Sequence, residues 1–484
     1  MNVLRVLSRG LNFLANAPFS YLPRMLANHV TTFCDRCNDS KLDLLIKYYE
    51  DPELKLCNNC LLHAKIFVLL VDSLFSNLGL EKEGAMSFLK KTLYRRVAKN
   101  LVKGVARFGI TKPQIAGAPI AVVWNFTNQC NLRCSHCYTS APSLPSEPEL
   151  STKDCFKVID RLIEADVATL NFSGGEPLVR EDFFEVAQYA TEQDLQVSLA
   201  SNGILFTKEC VFKLNEIGVS SVNISLDGAL PETHERIRNL EGCFDLAVKG
   251  IENSIMYGKF SEVIVNTTLT KFTLDEIPKI YELVKGLGID KYYVSRILPA
   301  GRGKDFSRFD VSPEEKIRIL TFMYEKFRDS INGDGEILTL ARGMTYFARV
   351  CHERSQGSFF PVCEILTGFE KFHQETLGSN LPYAIMRLSE FFSGCATGLY
   401  YCGLSPEGDV LPCAPATNIK MGNLLKNGLE DIWLNHSIFK GLRKRNKIKG
   451  KCGHCSAKTY CGGCRLTSFG TTGDWLATDP SCPT

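Results

Sequence analysis

The chain has 484 residues, 45% of them apolar and 23% charged, with a formal net charge of +3. That length holds two or three domains with a sizeable core, and the composition excludes disordered, collagenous and coiled-coil classes. It also holds 20 cysteines; in a long chain with no convincing signal peptide these point to metal rather than to a disulfide scaffold.

Residues 1–116 read as a helical, basic extension. Residues 1–115 carry 17 Lys/Arg against 9 Asp/Glu, a net of +8, whereas the remainder carries 39 against 44, a net of −5. Leu4, Leu7, Leu11 and Leu14 recur at helical spacing, as do Leu93, Val97, Leu101 and Val105. Seven basic residues and no acidic one lie between Lys90 and Arg107. Two readings follow: the apolar stripes pack on the rest of the protein, or a basic amphipathic helix docks on an anionic membrane surface. No nucleic-acid module is recognised, so no nucleic-acid partner is expected. Cys34-x2-Cys37 and Cys57-x2-Cys60 have zinc spacing; structural zinc is expected, with a rubredoxin-like iron, a further cluster or no metal as alternatives. The most apolar stretch, Ile66 to Val71, has six residues, against the roughly 20 of a membrane span. The expected location is cytoplasmic, or peripheral on the inner face of the membrane.

Residues 117–305 alternate strand and helix. Strands are expected at Ala121–Thr127, Ala168–Ser173, Gln196–Ala200, Ser221–Leu226, Glu262–Leu269 and Lys291–Ile297, with helices such as Thr152–Glu164, Glu181–Gln193 and Leu274–Leu287 between them. Six such repeats predict an α/β fold, a parallel sheet curled into a partial (β/α)6 TIM-like barrel with its chemistry at the carboxyl ends of the strands. Residues 306–388 read as a mostly helical connection. Residues 389–484 form a small region rich in cysteine and glycine, of a kind that metal holds together.

The first strand runs into Cys130-Asn-Leu-Arg-Cys134-Ser-His-Cys137-Tyr138. A [4Fe–4S] cube usually takes four thiolates, so three from one loop leave an iron open to a substrate or cosubstrate. The alternative is a zinc site completed by His136. With these cysteines the chain resembles the radical S-adenosylmethionine (radical SAM) superfamily, over roughly residues 117–300. Tyr138 matches the family's aromatic residue. Gly174-Gly175-Glu176-Pro177 is similar to its motif for the methionine amino group, with Glu176 placed near the ammonium. Asn202, in Ser201-Asn202-Gly203, closes the third strand. Ser225-Leu226-Asp227-Gly228 is similar to the ribose-contacting segment, and Arg296, opening Arg296-Ile-Leu-Pro299-Ala-Gly301-Arg-Gly303, to an arginine near the cosubstrate carboxylate. The resemblance implies that S-adenosylmethionine binds the open iron, is cleaved reductively, and yields a 5′-deoxyadenosyl radical that abstracts hydrogen.

The C-terminal region resembles the SPASM domain, which carries two auxiliary [4Fe–4S] clusters. By that resemblance Cys395, Cys402, Cys413 and Cys464 hold the inner cluster, and Cys452, Cys455, Cys461 and Cys482 the outer one. Two residues, not the usual three, separate Cys461 from Cys464. Ala414 follows Cys413 where sulfatase-maturing relatives carry an acidic base, which argues against that substrate class. The segment from Cys461 to Pro480 resembles members acting in modified-haem and tungsten-cofactor maturation and in peptide modification. Cys155, Cys210 and Cys243 read as core; Cys351 and Cys363 read either as buried thiols or as contacts to substrate or a cluster.

The expected function is that of a radical SAM/SPASM oxidoreductase acting on a peptide or cofactor precursor, with electrons from a ferredoxin or flavodoxin. The alternatives are carbon–carbon coupling on isoprenoid membrane lipids and, in a different class, a non-catalytic electron-transfer or zinc-binding scaffold.

Overall fold

The computed structural model describes residues 21–77, 90–142, 148–354 and 391–483. In the N-terminal region, α1 (Tyr21–Val30) precedes a two-stranded ribbon of β1 (Phe33–Cys34) and β2 (Asp39–Ser40). Then come α2 (Lys41–Glu50), α3 (Asn58–Asn77) and α4 (Thr92–Phe108). The leucine repeat at residues 4–14 lies outside the described residues.

The barrel strands are β3 (Ala121–Thr127), β4 (Thr169–Gly174), β5 (Gln196–Ser201), β6 (Ser221–Ser225), β7 (Glu262–Leu269) and β8 (Lys291–Arg296). They fall within one or two residues of expectation and pair in parallel, in chain order. Between them run α5 (Thr152–Glu164), α6 (Phe183–Glu192), α7 (Lys208–Glu216), α8 (Pro231–Arg238), α9 (Cys243–Tyr257) and α10 (Ile277–Leu287). Helix α5 shows why such segments fold. Ser151 caps it by accepting from the Asp154 amide, and Cys155, Val158, Ile159 and Leu162 form one buried stripe against the sheet.

The strands alternate with period two. Trp124, Phe126, Leu170, Phe172, Val222 and Ile224 enter the main core beneath the helices, where Phe126 and Phe172 meet edge to face at 5.1 Å. Asn171, Asn223, Asn266, Ser198, Ser225 and Ser295 face the barrel lumen instead. The interior is therefore a cavity with a belt of polar side chains rather than a packed core.

The sheet continues past the six expected strands. After α11 (Gly303–Phe306) and α12 (Pro313–Asn332), β9 (Leu338–Arg342) pairs in parallel with β8, and α13 (Phe347–Arg354) follows. The expected helical connection thus contains a strand. Leu338 to Leu340 are buried against the barrel, and that burial outweighs the helical character of the flanking chain. Cys351 is fully buried in the main core, an ordinary apolar-site thiol; Cys363 lies outside the described residues. At the opposite edge, β10 (Tyr401–Leu404) pairs in parallel with β3 and antiparallel with β11 (Val410–Leu411). The result is one nine-stranded sheet.

Helix α4 seals the end of the barrel away from the strand carboxyl ends. Its Arg96 donates to the carbonyls of Val167, Gln193 and Asp194, and Asn100 donates to those of Ala165 and Asp166. Lys99 and Lys103 both pair with Asp166, at 2.8 and 2.9 Å. Lys99 also pairs with Asp43, and Arg95 with Glu50, both on α2. These cations are engaged within the protein, so the structure favours the packed reading of this helix over the membrane-docking one. Among the described residues, no helix is long and apolar enough to cross a membrane. Asn100→Ala is expected to cost about 1–3 kcal/mol of stability, because two buried carbonyls lose their donor. A denaturant midpoint equal to wild type would refute the sealing role.

Candidate active site

A cavity of about 590 Å³ runs through the carboxyl ends of the strands. Cys130, Cys134, Cys137 and Tyr138 line one part of it, with Gly174, Gly175, Asn202 and Ser225 beside them. Cys395, Cys413 and Cys464 line another part, and Arg342 and Arg296 also reach it.

The three-cysteine loop is pinned from several sides. The Cys130 amide donates to the Pro142 carbonyl, and the Ser135 amide to that of Ile237. Arg302 donates through Nε to the Cys134 carbonyl at 2.9 Å and through Nη1 to that of Ala141 at 3.2 Å. N–H groups also aim at sulfur: the Leu132 amide at Cys130 Sγ, 3.4 Å, and Arg238 Nη1 at Cys134 Sγ, 3.7 Å. Soft thiolate donors, cationic and amide N–H groups around them, and an open side on the cavity fit an iron–sulfur cluster. His136 is not a fourth ligand in this arrangement, because its Nε2 lies 2.8 Å from Asp227 Oδ2.

The glycine-rich turn after β4 lies against the cysteine loop. A Cβ on Gly175 would stand 2.0 Å from the Gln129 carbonyl oxygen, so only glycine fits there. Glu176 stands directly behind that turn. It is fully buried and its carboxylate turns into the wall, accepting from the Ser201 hydroxyl (2.9 Å) and the Asn202 amide (2.8 Å). Burial raises its pKa to about 7, although those donors pull the other way. Pro177 opens the buried 3-10 turn behind it. Asn202 itself reaches the cavity and donates to Asn131 of the cysteine loop at 2.7 Å.

Asp227 closes the fourth strand end in the same way. It is fully buried and accepts from His136, from Arg238 Nη2 at 2.6 Å and from the Thr268 amide at 2.6 Å. Burial would raise its pKa, but Arg238 and His136 outweigh burial and hold the carboxyl far below its usual range. Arg296 ends β8. Its guanidinium bonds to the hydroxyls of Thr467 and Ser481 and lies near Asp479, so it ties β8 to the C-terminal region. A buried guanidinium needs partners for its donors, and that region supplies them.

The eight C-terminal cysteines lie near one another in overlapping sets, and Arg445 lies near both Cys395 and Cys461. Cys413 feels Cys395 and Cys464, and Cys402 feels Cys413. Cys482 acts on Cys452 and Cys461, and Arg349 feels both Cys455 and Cys482. The short Cys461–Cys464 step is made by Gly462 and Gly463, both left-handed (φ 66° and 64°), a turn that other residues rarely adopt.

Residues 124–284 match the model of the radical SAM superfamily, and residues 395–456 that of the SPASM iron-sulfur cluster-binding domain. An AdoMet-dependent heme synthase of Methanosarcina barkeri is 34% identical over 368 residues, covering 76% of this chain and 97% of the relative. The chain belongs to the radical SAM superfamily. Mycofactocin maturase MftC of Mycobacterium tuberculosis is 30% identical over 371 residues, covering 75% of this chain and 83% of the relative. Streptococcus suis SuiB, solved with S-adenosylmethionine, shares the fold at a TM-score of 0.60 and 16% identity, covering 92% and 93% of the two chains. The radical SAM domain brings a [4Fe–4S] cluster and S-adenosylmethionine, and the SPASM domain brings auxiliary iron–sulfur clusters.

Sequence reasoning missed Arg238, Arg302 and Arg342. Arg302 lies inside a quoted motif; Arg238 and Arg342 follow no motif, and only the fold brings them to the cavity. Glu176→Ala leaves the Ser201 hydroxyl and Asn202 amide unpaired in a dry wall. The expected effects are a loss of about 2 kcal/mol of stability and a roughly tenfold weaker affinity for S-adenosylmethionine. Thermal melting and equilibrium dialysis would read them, and unchanged affinity would count against the bracing role.

Proposed function

We propose that this radical SAM/SPASM enzyme abstracts hydrogen from a polar, carboxylate-bearing cofactor precursor, with a haem-type tetrapyrrole as the leading substrate. The cavity lining carries this reading. Arg238, Arg296, Arg302 and Arg342 line the cavity towards the strand carboxyl ends, whereas Glu262, the one lining carboxylate among the described residues, opens β7 at the other end and is bound to Lys291 at 2.6 Å. A belt of asparagine and serine also lines the cavity, and the buried Asn223 Oδ1 has no protein partner. Such walls recognise carboxylates and amides. A saturated isoprenoid chain would leave a lining group such as Asn223 Oδ1 unpaired, which disfavours the lipid alternative. The relative named as a heme synthase supports the tetrapyrrole, and the one named as a mycofactocin maturase keeps a peptide precursor as the second reading.

In this reading Cys130, Cys134 and Cys137 hold the catalytic cluster, while Tyr138, Gly174, Gly175, Asn202 and Ser225 border the cosubstrate. When bound, the cluster and S-adenosylmethionine supply an electron and a hydrogen-abstracting carbon radical. Glu176 and Asp227 brace those walls from behind. Arg342, brought in by β9, orients the substrate carboxylates. The eight C-terminal cysteines hold two auxiliary clusters.

The electron donor belongs to the ferredoxin or flavodoxin class. A surface cavity beside the cysteine loop is lined by Arg236, Arg302 and Arg308 against one acidic residue, Asp305, together with Phe272, Phe306 and Phe309. Arg236 and Arg308 are exposed, which suits an acidic redox protein.

Anaerobic incubation with dithionite and S-adenosylmethionine is expected to yield 5′-deoxyadenosine, and alanine at Cys130, Cys134 and Cys137 to abolish it. No product from the wild type would sink the enzyme reading. Arg342→Met is expected to lower deuterium transfer from a labelled tetrapyrrole precursor by about tenfold while sparing substrate-free cleavage. Transfer from a labelled peptide and not from the tetrapyrrole would select the second reading. Arg308→Glu is expected to slow reduction by the protein donor and leave reduction by dithionite unchanged; equal slowing of both would exclude docking at this face.

A further inference from the structure

We infer that the N-terminal region holds one Zn²⁺ on Cys34, Cys37, Cys57 and Cys60, a closed site that clamps this region onto the barrel through α4. The four sulfurs all lie within 4.8 Å of one another, and Cys34 Sγ and Cys57 Sγ are 3.8 Å apart. Four thiolates at about 2.3 Å around a tetrahedral zinc have edges of about 3.8 Å. All four are free thiols. The group is also too compact for a cube, in which each thiolate binds a different iron and the sulfide core separates them. Among the described residues, no other set of His, Cys, Asp or Glu ligands gathers this tightly.

The surrounding backbone is built for the ion. The first pair sits on the β1–β2 ribbon, with Asn38 turned left-handed at φ 52° directly after Cys37. The second pair sits at the start of α3, with Cys57 just before the helix and Cys60 in its first turn. That position puts backbone N–H groups and the positive end of the helix beside the thiolates. The Cys57 amide donates to Cys37 Sγ at 3.4 Å. Cys34 and Cys60 are 8% and 1% exposed, so the shell is half-closed to solvent, and four thiolates leave no open position for a reaction.

The clamp runs from this site through α2. Asp43 and Glu50 of α2 pair with Lys99 and Arg95 of α4, and Lys99 continues to Asp166 on the barrel. The ribbon of two-residue strands is too small to hold its shape without a staple. The inference concerns a region that neither family model covers.

Elemental analysis of the anaerobically purified full chain is expected to give one zinc per chain in addition to the cluster iron. The Cys34→Ser/Cys57→Ser variant is expected to lose that zinc and keep its iron. Should the variant fail to fold, zinc-stripped wild type is titrated with Co²⁺, which is expected to give the intense visible bands of a tetrahedral tetrathiolate. Limited proteolysis is expected to show faster cleavage within residues 41–77 when zinc is removed, with the barrel fragments unchanged. Iron in place of zinc, with ferric-thiolate absorption after oxidation, would overturn the zinc assignment. Absence of the cobalt bands would overturn the site, and unchanged proteolysis would overturn the clamp.

Discussion

The parallel pairing of β10 on β3 is the contact on which the rest of the structure depends. A six-stranded parallel sheet that does not close has two bare edges, and bare edges invite wrong partners. Here the C-terminal region covers one edge and β9 extends the other. Tyr401 pairs with Ala121 and Leu404 with Trp124, so the register is fixed over four residues. Trp124 donates from its ring to the Ser405 carbonyl, and Asn125 donates to the Ala414 carbonyl. These contacts carry Cys413 and Ala414 to the mouth of the barrel. A single cavity bounded by both sets of cysteines is the geometric consequence.

A second constraint follows from that closure. The cavity wall excludes water, so any ionised group in it must be paired. The motif carboxylates meet this demand from within the wall. Glu176 collects donors from the third strand end, and Asp227 collects Arg238, His136 and the Thr268 amide. Arg238 in turn donates to Cys134 Sγ. A carboxylate one layer back can thereby fix both a loop and a sulfur ligand without touching a substrate.

The sequence made the strands and cysteine groups legible because both are local signals. β-rich runs with turn residues after them mark strands, and Cys spacing of three and two marks a loop. The C-terminal region was legible through resemblance as an iron–sulfur cluster-binding domain. Direction was not legible. Glu176 and Asp227 lie in motifs at strand ends, yet which way a carboxylate turns depends on donors far away in sequence, such as Asn202 and Thr268. Arg296 has the same history, since Thr467 and Ser481 lie more than a hundred residues further along the chain. Strand β9 escaped because a five-residue run between helices has little pattern of its own.

The uneven charge of the chain finds its explanation in the two ends of the barrel. At the closed end, Asp166 accepts Lys99 and Lys103, while Arg96 and Asn100 saturate the carbonyls of the loops entering β4 and β5. The basic stripe of α4 is thus half of an electrostatic joint whose acidic and carbonyl half belongs to the barrel. At the open end Arg238, Arg296 and Arg302 are likewise held by the fold, on Asp227, on the Thr467 and Ser481 hydroxyls, and on the Cys134 and Ala141 carbonyls, and with Arg342 they line the cavity. Cations at the closed end meet partners supplied by the fold and hold the N-terminal region in place. Cations at the open end hold the cysteine loop and the C-terminal region in place and border the cavity as they do so. The same residue types therefore do different work at the two ends, and the difference lies in which backbone and carboxylate groups the parallel sheet presents at each.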